Sequence, residues 1–588
     1  MRQRHVIAKT LRALWATGLV IGDLMLAVCT ASAEFTNINA AFPGLVNSSI
    51  ALGDYDNDGW LDILLTGSTA GQPTSLGVTQ LWRNQGDGTF TNTNLDLPQA
   101  GAGSAAWGDF NNDGRLDLLL TGYTTTGSIA QIWQNMGDGT FSNVNAALPG
   151  VTQGAAAWGD YDNDGRTDIL LTGSSITGHI TQIYRNSTQG FVADFQASLP
   201  GVYAGSVAWG DYDNDGWLDI LLTGATGAGL VNDIWRNLAN GSFTNLNAGL
   251  PGVTGSPYGY HSSAVWGDYD NDGRLDIAFT GRGNFGALPT EVWRNLGNGT
   301  FLKINSGLRP KDGGSLAWGD FDNDGLLDIG FPGSSRVSEW KDQIWRNLGN
   351  GTFTNANSGV TEIGGGSVAL GDFDNDSRLD LVLTGILGNN ALVSQAWRNL
   401  ANSSNTMPSS PAGLTALVSG AGVILSWNAA NDAETPASGL TYNLRVGTSP
   451  GTWDILAAQA DAMTGHRRVP SLGNAQSRLF SRLASVPPGD YYWSVHAVDS
   501  AFTGGPFAAE ARFTVGPAIL RDSSLGMSNG EFGFNLNWKS GTVAMVEVST
   551  NLLDWVAVWT NSTSEGPAYF SDPATGNHPH RFYRAMKP

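Results

Sequence analysis

Gly53-Asp54-Tyr55-Asp56-Asn57-Asp58-Gly59-Trp60-Leu61-Asp62-Ile63-Leu64-Leu65 is the stretch that decides the fold. Counted from Asp54, acidic residues stand at positions 1, 3, 5 and 9, a glycine at position 6, and an apolar run follows. The pattern returns with first residues at Asp109, Asp160, Asp211, Asp268, Asp320 and Asp372, so successive copies start 51 to 57 residues apart. Seven copies at such a period mark a repeat architecture.

The residue types point to a hard cation. Calcium takes six to eight oxygens in tolerant geometry, whereas zinc and copper prefer nitrogen and sulfur and magnesium keeps its own waters. In the first loop the candidate ligands are Asp54, Asp56, Asp58 and Asp62 with the carbonyl of Trp60. The second offers Asp109, Asn111, Asp113, Asp117 and the carbonyl of Arg115, and the third Asp160, Asp162, Asp164, Asp168 and that of Arg166. The fourth offers Asp211, Asp213, Asp215, Asp219 and Trp217, the fifth Asp268, Asp270, Asp272, Asp276 and Arg274. Asp320, Asp322, Asp324, Asp328 and Leu326 make up the sixth, and Asp372, Asp374, Asp376, Asp380 and Arg378 the seventh. Up to seven structural calcium ions are expected. A plain hairpin turn would also favour Asp, Asn and Gly, but it has no need of four mutually repelling carboxylates. The loop is not an EF-hand, because position 12 is the apolar Leu65 and the flanks read as strands. Two copies depart from the pattern. Asn111 replaces an acid at position 3, and Ser377 replaces the glycine, where a left-handed backbone would be strained. The seventh site is expected to be the weakest.

Outward from each loop the sequence reads as four strands. One precedes the loop, one follows it, a third ends in Trp-Arg-Asn as at Trp235-Arg236-Asn237, and a fourth follows a turn such as Asp87-Gly88 or Asn240-Gly241. Seven four-stranded repeats predict a seven-bladed β-propeller. The last repeat stops after Trp397-Arg398-Asn399, and Phe35-Thr36-Asn37 supplies its missing fourth strand, which closes the ring and removes two sheet edges. Recurring tryptophans before the loops (Trp107, Trp158, Trp209, Trp266, Trp318) read as blade packing.

The D-x-D-x-D-G-x-x-D hairpins at this spacing resemble the FG-GAP/VCBS repeats of integrin α-chain propellers and of many secreted bacterial proteins, over residues 34–401. The resemblance implies structural calcium between the first and second strands of each blade. It implies ligand binding on the opposite face, through the loops that join strands two to three and four to one. There Tyr258, Tyr260, His261, Arg282 and Trp340 are the candidate ligand contacts, since rings stack on sugars or peptides and polar groups hydrogen-bond them; ordinary loop variation is the competing reading.

Composition agrees. The net charge of −21 is local, because the seven loops hold 27 of 52 acidic residues and the rest of the 588-residue chain is near neutral. No basic patch suggests nucleic acid. Residues 1–33 read as a signal peptide, with Arg2, Arg4, Lys9 and Arg12 before an apolar run and Ala31-Ser32-Ala33 as the cleavage site. Cleavage there removes Cys29, the single cysteine; lipoprotein processing at Cys29 is the alternative. No transmembrane segment is expected in the mature chain, and export to the periplasm, cell surface or medium follows.

Residues 402–413 read as a polar linker and 414–516 resemble a fibronectin type III domain. Leu425-Ser426-Trp427 would hold its core tryptophan, and Tyr491, Trp493, Val495 and Ala497 would face inward with Tyr491 as the corner tyrosine. Residues 461–482 are longer and more irregular than that fold needs. Residues 517–588 read as a small further β module. Catalytic residues are not expected: the seven histidines are scattered, and neither G-x-S-x-G nor H-E-x-x-H occurs. The expected function is adhesion to, or binding of, an extracellular protein or glycan, with the sandwiches as spacers. A lectin and a polysaccharide-degrading lyase or hydrolase are the alternatives.

Overall fold

The computed structural model describes residues 35–70, 77–255, 262–311, 313–331, 343–520, 522–538, 543–561, 568–578 and 580–587. Residues 1–33, expected to be a signal peptide, lie outside them. Among the described residues the regular structure is β throughout, apart from two single 3-10 turns.

Seven four-stranded antiparallel sheets follow one another along the chain. In the first blade the strands are Val46–Gly53, Asp62–Ser68, Gly77–Asn84 and Phe90–Asn92, paired in that order. The hairpin register is the same in every blade. The glycine before the loop faces the position-9 aspartate, as Gly53 faces Asp62 and Gly371 faces Asp380. The apolar run after each loop is fully buried: Ile63, Leu64 and Leu65 are all at 0% exposure. A strand that reads as a continuous apolar run is one covered on both faces, here by the two neighbouring blades.

The seventh blade closes as the sequence predicts. Phe35–Asn37 pairs antiparallel with the end of Leu392–Asn399, Phe35 opposite Asn399 and Asn37 opposite Trp397. The Phe35 ring sits edge-on to Phe321 at 5.8 Å, inside the apolar cluster of blades six and seven.

Blades pack through the recurring tryptophans. A Cβ on Gly53 would lie 2.7 Å from Trp107 of the next blade, and one on Gly108 would lie 2.6 Å from Trp158. Gly159, Gly210 and Gly267 meet Trp209, Trp266 and Trp318 in the same way. In these five blades the glycine before the loop is a seat for an indole, while Gly319 and Gly371 seat leucines (Leu379 and Leu61) instead, and a side chain at any of them would press the blades apart.

Residues 412–515 form two three-stranded sheets. One joins Ala412–Ser419, Gly422–Asn428 and Phe480–Leu483; the other joins Thr441–Gly447, Gly489–Val498 and Ala511–Val515. Their shared core holds Trp427, Tyr442, Trp493 and Val495, and the Tyr491 hydroxyl donates to the Pro487 carbonyl at 2.7 Å. Beyond Pro517, Ala544–Ser549 is flanked by Val556–Asn561 and Phe582–Met586, and Glu531–Asn537 pairs with Ala568–Asp572.

Candidate metal centres and the face that covers them

Each acidic loop is ordered by its own carboxylates. In the first, Asp54 accepts the backbone N–H groups of Asp58 at 2.9 Å and Gly59 at 3.0 Å, and Asp62 accepts those of Tyr55 at 3.2 Å and Asn84 at 2.8 Å. The N–H of Trp60 donates to Asp58 at 3.0 Å. The same bonds recur in the seventh loop, where Asp372 accepts from Asp376 and from Ser377 at 2.7 Å. Ser377 holds φ at 67°, the left-handed conformation expected to be strained for a residue other than glycine.

Two circles of asparagines tie the loops together. The position-4 asparagine of each loop donates to the position-6 carbonyl of the next: Asn57 to Gly114, Asn112 to Gly165, Asn163 to Gly216, Asn214 to Gly273, Asn271 to Gly325 and Asn323 to Ser377. Asn375 completes the circle by donating to Gly59. The asparagine of each Trp-Arg-Asn motif runs the other way, to the position-2 carbonyl of the preceding loop. Asn135 meets Tyr55 at 2.7 Å, and Asn84 meets Phe373 across the closure, also at 2.7 Å. Neither circle was visible in the sequence, where these asparagines read as turn formers.

The arginine of that motif is an acid partner. Arg83 meets Asp56 at 2.6 Å and Asp58 at 2.8 Å. Arg185, Arg236, Arg294 and Arg346 take the equivalent pairs, and Arg398 meets Asp374. The second blade lacks both sides of the contact. Gln134 stands for the arginine and Asn111 for the acid, and the Asn111 amide donates to Asp113 at 3.0 Å.

Acids brought together this way repel one another unless a positive charge offsets them. Burial pushes the Asp54 carboxyl up to about 6 and the Asp62 carboxyl up to about 9. Burial likewise holds Asp328 and Asp380 well above the usual range. In five loops the position-3 carboxylate keeps one buried oxygen with no hydrogen-bond partner: Oδ1 of Asp56, Asp213, Asp270, Asp322 and Asp374. Carboxylate oxygens of Asp54, Asp56 and Asp58, of Asp211, Asp213 and Asp219, and of Asp320, Asp322 and Asp328 lie within 4.8 Å of one another. Oxygens bound at 2.3–2.6 Å to one calcium are separated by at most about twice that distance. The donor set therefore fits calcium: all-oxygen, multiply anionic, and holding a bare buried oxygen aimed into the cluster.

The sandwich at 412–515 covers this loop face. Gln476 accepts the N–H of Asp211 at 2.7 Å, and Arg478 pairs with the same aspartate at 3.0 Å. Ser500 donates to Asp320 at 2.9 Å, and Arg468 accepts the N–H of Asp54 at 2.9 Å. Asn112 donates to Ile455 at 2.9 Å, and Ala484 donates to Asn163 at 2.6 Å. The irregular segment expected to be surplus is the plug. Val469, Pro470, Ser471 and Leu472 enter the axis of the ring and close a cavity of about 410 Å³ lined by Leu52, Trp107, Trp266 and Trp318. The spacer reading of this sandwich is thus corrected: its second hydrophobic partner is the propeller itself. The polar stretch at 402–413 is also tied down, since Asn405 donates to Ser377 and to Asp499.

Of the candidate ligand contacts, Arg282 is half-buried and exchanges backbone hydrogen bonds with Thr254 at 2.8 and 2.9 Å. Tyr258, Tyr260, His261 and Trp340 lie outside the described residues. Among the described residues no helix is long and apolar enough to cross a membrane.

Comparison with known proteins places the repeats. The family described as FG-GAP-like repeat matches residues 54–120, 122–171, 160–222, 211–279, 268–331 and 335–383, more than half of the chain. No curated protein matches. Among solved structures, the α-L-arabinanase of Penicillium chrysogenum complexed with arabinobiose is 14% identical, over 64% of this chain and 99% of its own, at a TM-score of 0.31. The extracellular domain of a hybrid two component system from B. thetaiotaomicron is 10% identical over 82% of this chain and 59% of its own, at 0.34. A glycoside hydrolase is 10% identical over 94% and 97%, at 0.23. Likenesses at this level carry no assignment of activity.

Proposed function

This chain belongs to the FG-GAP-like repeat family, and from that premise we propose that it is an exported calcium-binding propeller, its metal structural, that binds an extracellular protein or glycan. The observation that carries the calcium reading is the bare, buried Oδ1 of the position-3 aspartate, repeated in five of the seven acidic loops. Asp54, Asp56, Asp58 and Asp62 would hold the ion in the first loop, and their counterparts would hold it in the others. When bound, the cation supplies charge compensation and cross-links the loop. The chain's own residues do the rest: the asparagine circles fix the spacing of the loops, and the motif arginines neutralise the outer carboxylate oxygens.

Covering of part of the loop face by the sandwich supports a structural role over a catalytic one for the metal, because Asp211 and Asp320, fully buried and held by Arg478 and Ser500, offer a substrate no approach. It also leaves the opposite face of the ring as the surface for a macromolecular partner.

The test is thermal unfolding of the mature chain after EGTA treatment, with calcium titrated back. Each site at ten times its dissociation constant contributes about 1.4 kcal/mol, so a full set of seven should raise the melting temperature by roughly ten degrees. An unchanged melting temperature would sink the calcium reading.

A further inference from the structure

A second cavity, about 440 Å³, lies between the sandwich and blades two to four. Its lining includes Trp158, Trp209, Arg467, Asn474 and Gln459. Three observations distinguish it from a packing gap. First, of the five tryptophans before the loops, Trp158 and Trp209 alone remain partly exposed, and both border this cavity; Trp107, Trp266 and Trp318 are 6 to 7% exposed. Second, Arg467 is 6% exposed and meets only neutral oxygens: the Ala458 carbonyl at 3.1 Å, the Ser471 carbonyl at 3.1 Å and the Ser471 hydroxyl at 3.3 Å. Its Nε has no partner, and among the described residues no carboxylate pairs with it. Third, the half-buried Gln459 and the exposed Asn474 share the lining, so amide groups stand beside the indoles.

A buried guanidinium without a counter-charge is costly unless an anion completes it. Carboxylates suit it best, because they accept two parallel N–H bonds. Indole faces beside amides suit a ring that carries hydroxyls, and the volume falls within the range of small-molecule sites. We propose that this cavity binds a hydroxylated organic acid of one or two sugar rings' size, its carboxylate on Arg467 and its ring against Trp158 and Trp209. The cavity borders the third acidic loop through Asp160 and Asn163, which is why calcium is held saturating in the test, and it is separate from the opposite face of the ring.

The experiment uses the mature full-length chain in saturating calcium. Its melting temperature and tryptophan fluorescence are followed as D-glucuronate, D-glucose or inorganic sulfate is added. The expected result is a saturable rise with glucuronate that is absent with glucose and with sulfate. Arg467→Met should weaken it at least about tenfold, the scale of one charged hydrogen-bonded contact. Because Arg467→Met could perturb the plug, Arg467→Lys provides the second arm: it keeps the positive charge without the bidentate fork, and should respond to glucuronate more weakly than the parent but more strongly than Arg467→Met. No saturable response to glucuronate would overturn the proposal, as would an equal response to glucose or sulfate or an undiminished one in a folded Arg467→Met protein.

Discussion

Asn375 donates its side-chain amide to the carbonyl of Gly59 at 2.9 Å, across 316 residues of chain. This is the seventh bond of a circle whose other six join neighbours, so it is the contact by which the loop face knows that the ring is complete. Asn375 also holds φ at 57°. Asn375→Ala loses the bond and puts at a left-handed backbone a residue that tolerates it less well than asparagine, which should cost about 2 kcal/mol in urea unfolding. Asn375→Gly keeps the conformation and loses only the bond, about 1 kcal/mol. Equal stability of both variants and the parent would detach the circle from stability.

Blade two offers a double-mutant cycle. Asn111→Asp alone adds an acid with no arginine opposite it, and Gln134→Arg alone adds an arginine short of its acid. The double substitution restores the pair seen as Arg83 with Asp56. The coupling energy should favour the double variant by about 0.5–1 kcal/mol, the range for a partly exposed ion pair. Additive effects would show that the strand-three arginines are not position-specific partners.

Ser377→Gly should stabilise the protein. At φ of 67° a side chain costs about 1 kcal/mol that glycine avoids. The N–H to Asp372 is kept, so the gain should appear in the melting temperature with and without calcium; a loss would mean that the serine side chain has a role in the seventh loop.

These three positions show what the sequence could and could not disclose. The period, the hairpins, the strand that completes blade seven and the acid clusters were legible because each rests on local chemistry repeated seven times. The strain at Ser377 was legible for the same reason. The asparagine circles were not, because a turn-forming asparagine looks the same whether its amide faces water or the next blade. Nor was the docking of the sandwich: Arg478 reaching Asp211 joins two segments with no shared pattern. Residues 461–482 gave a hint in their irregular length, without showing that they fill the axis of the ring.

His496 gives the sandwich a pH dependence. It is fully buried, accepts from Asn443 at 2.9 Å and donates to the Gly505 carbonyl at 3.0 Å. Burial, aided by the Arg467 charge, lowers it to about 3. Below the unfolded value of about 6.5 the unfolded chain takes up a proton that the folded chain refuses, so stability falls as pH falls. Between pH 7 and pH 5 the loss is about 2 kcal/mol. Asp499, raised to about 8 by burial, acts in the opposite sense, but it is present in wild type and in His496→Gln alike. The stability difference between those two proteins should therefore shrink by about 2 kcal/mol at pH 5, and a difference constant with pH would contradict a neutral buried imidazole.

The strand Phe35–Asn37 is the first of the propeller to leave the ribosome, and its partner at Trp397–Asn399 is the last. Until that partner arrives, six blades can stack as an open arc with two raw edges and a stub waiting at the front. Ring closure is thus a single late, long-range event, slow to find and exposed to mispairing while it waits. A chain built this way completes its circle only after synthesis has passed the seventh blade.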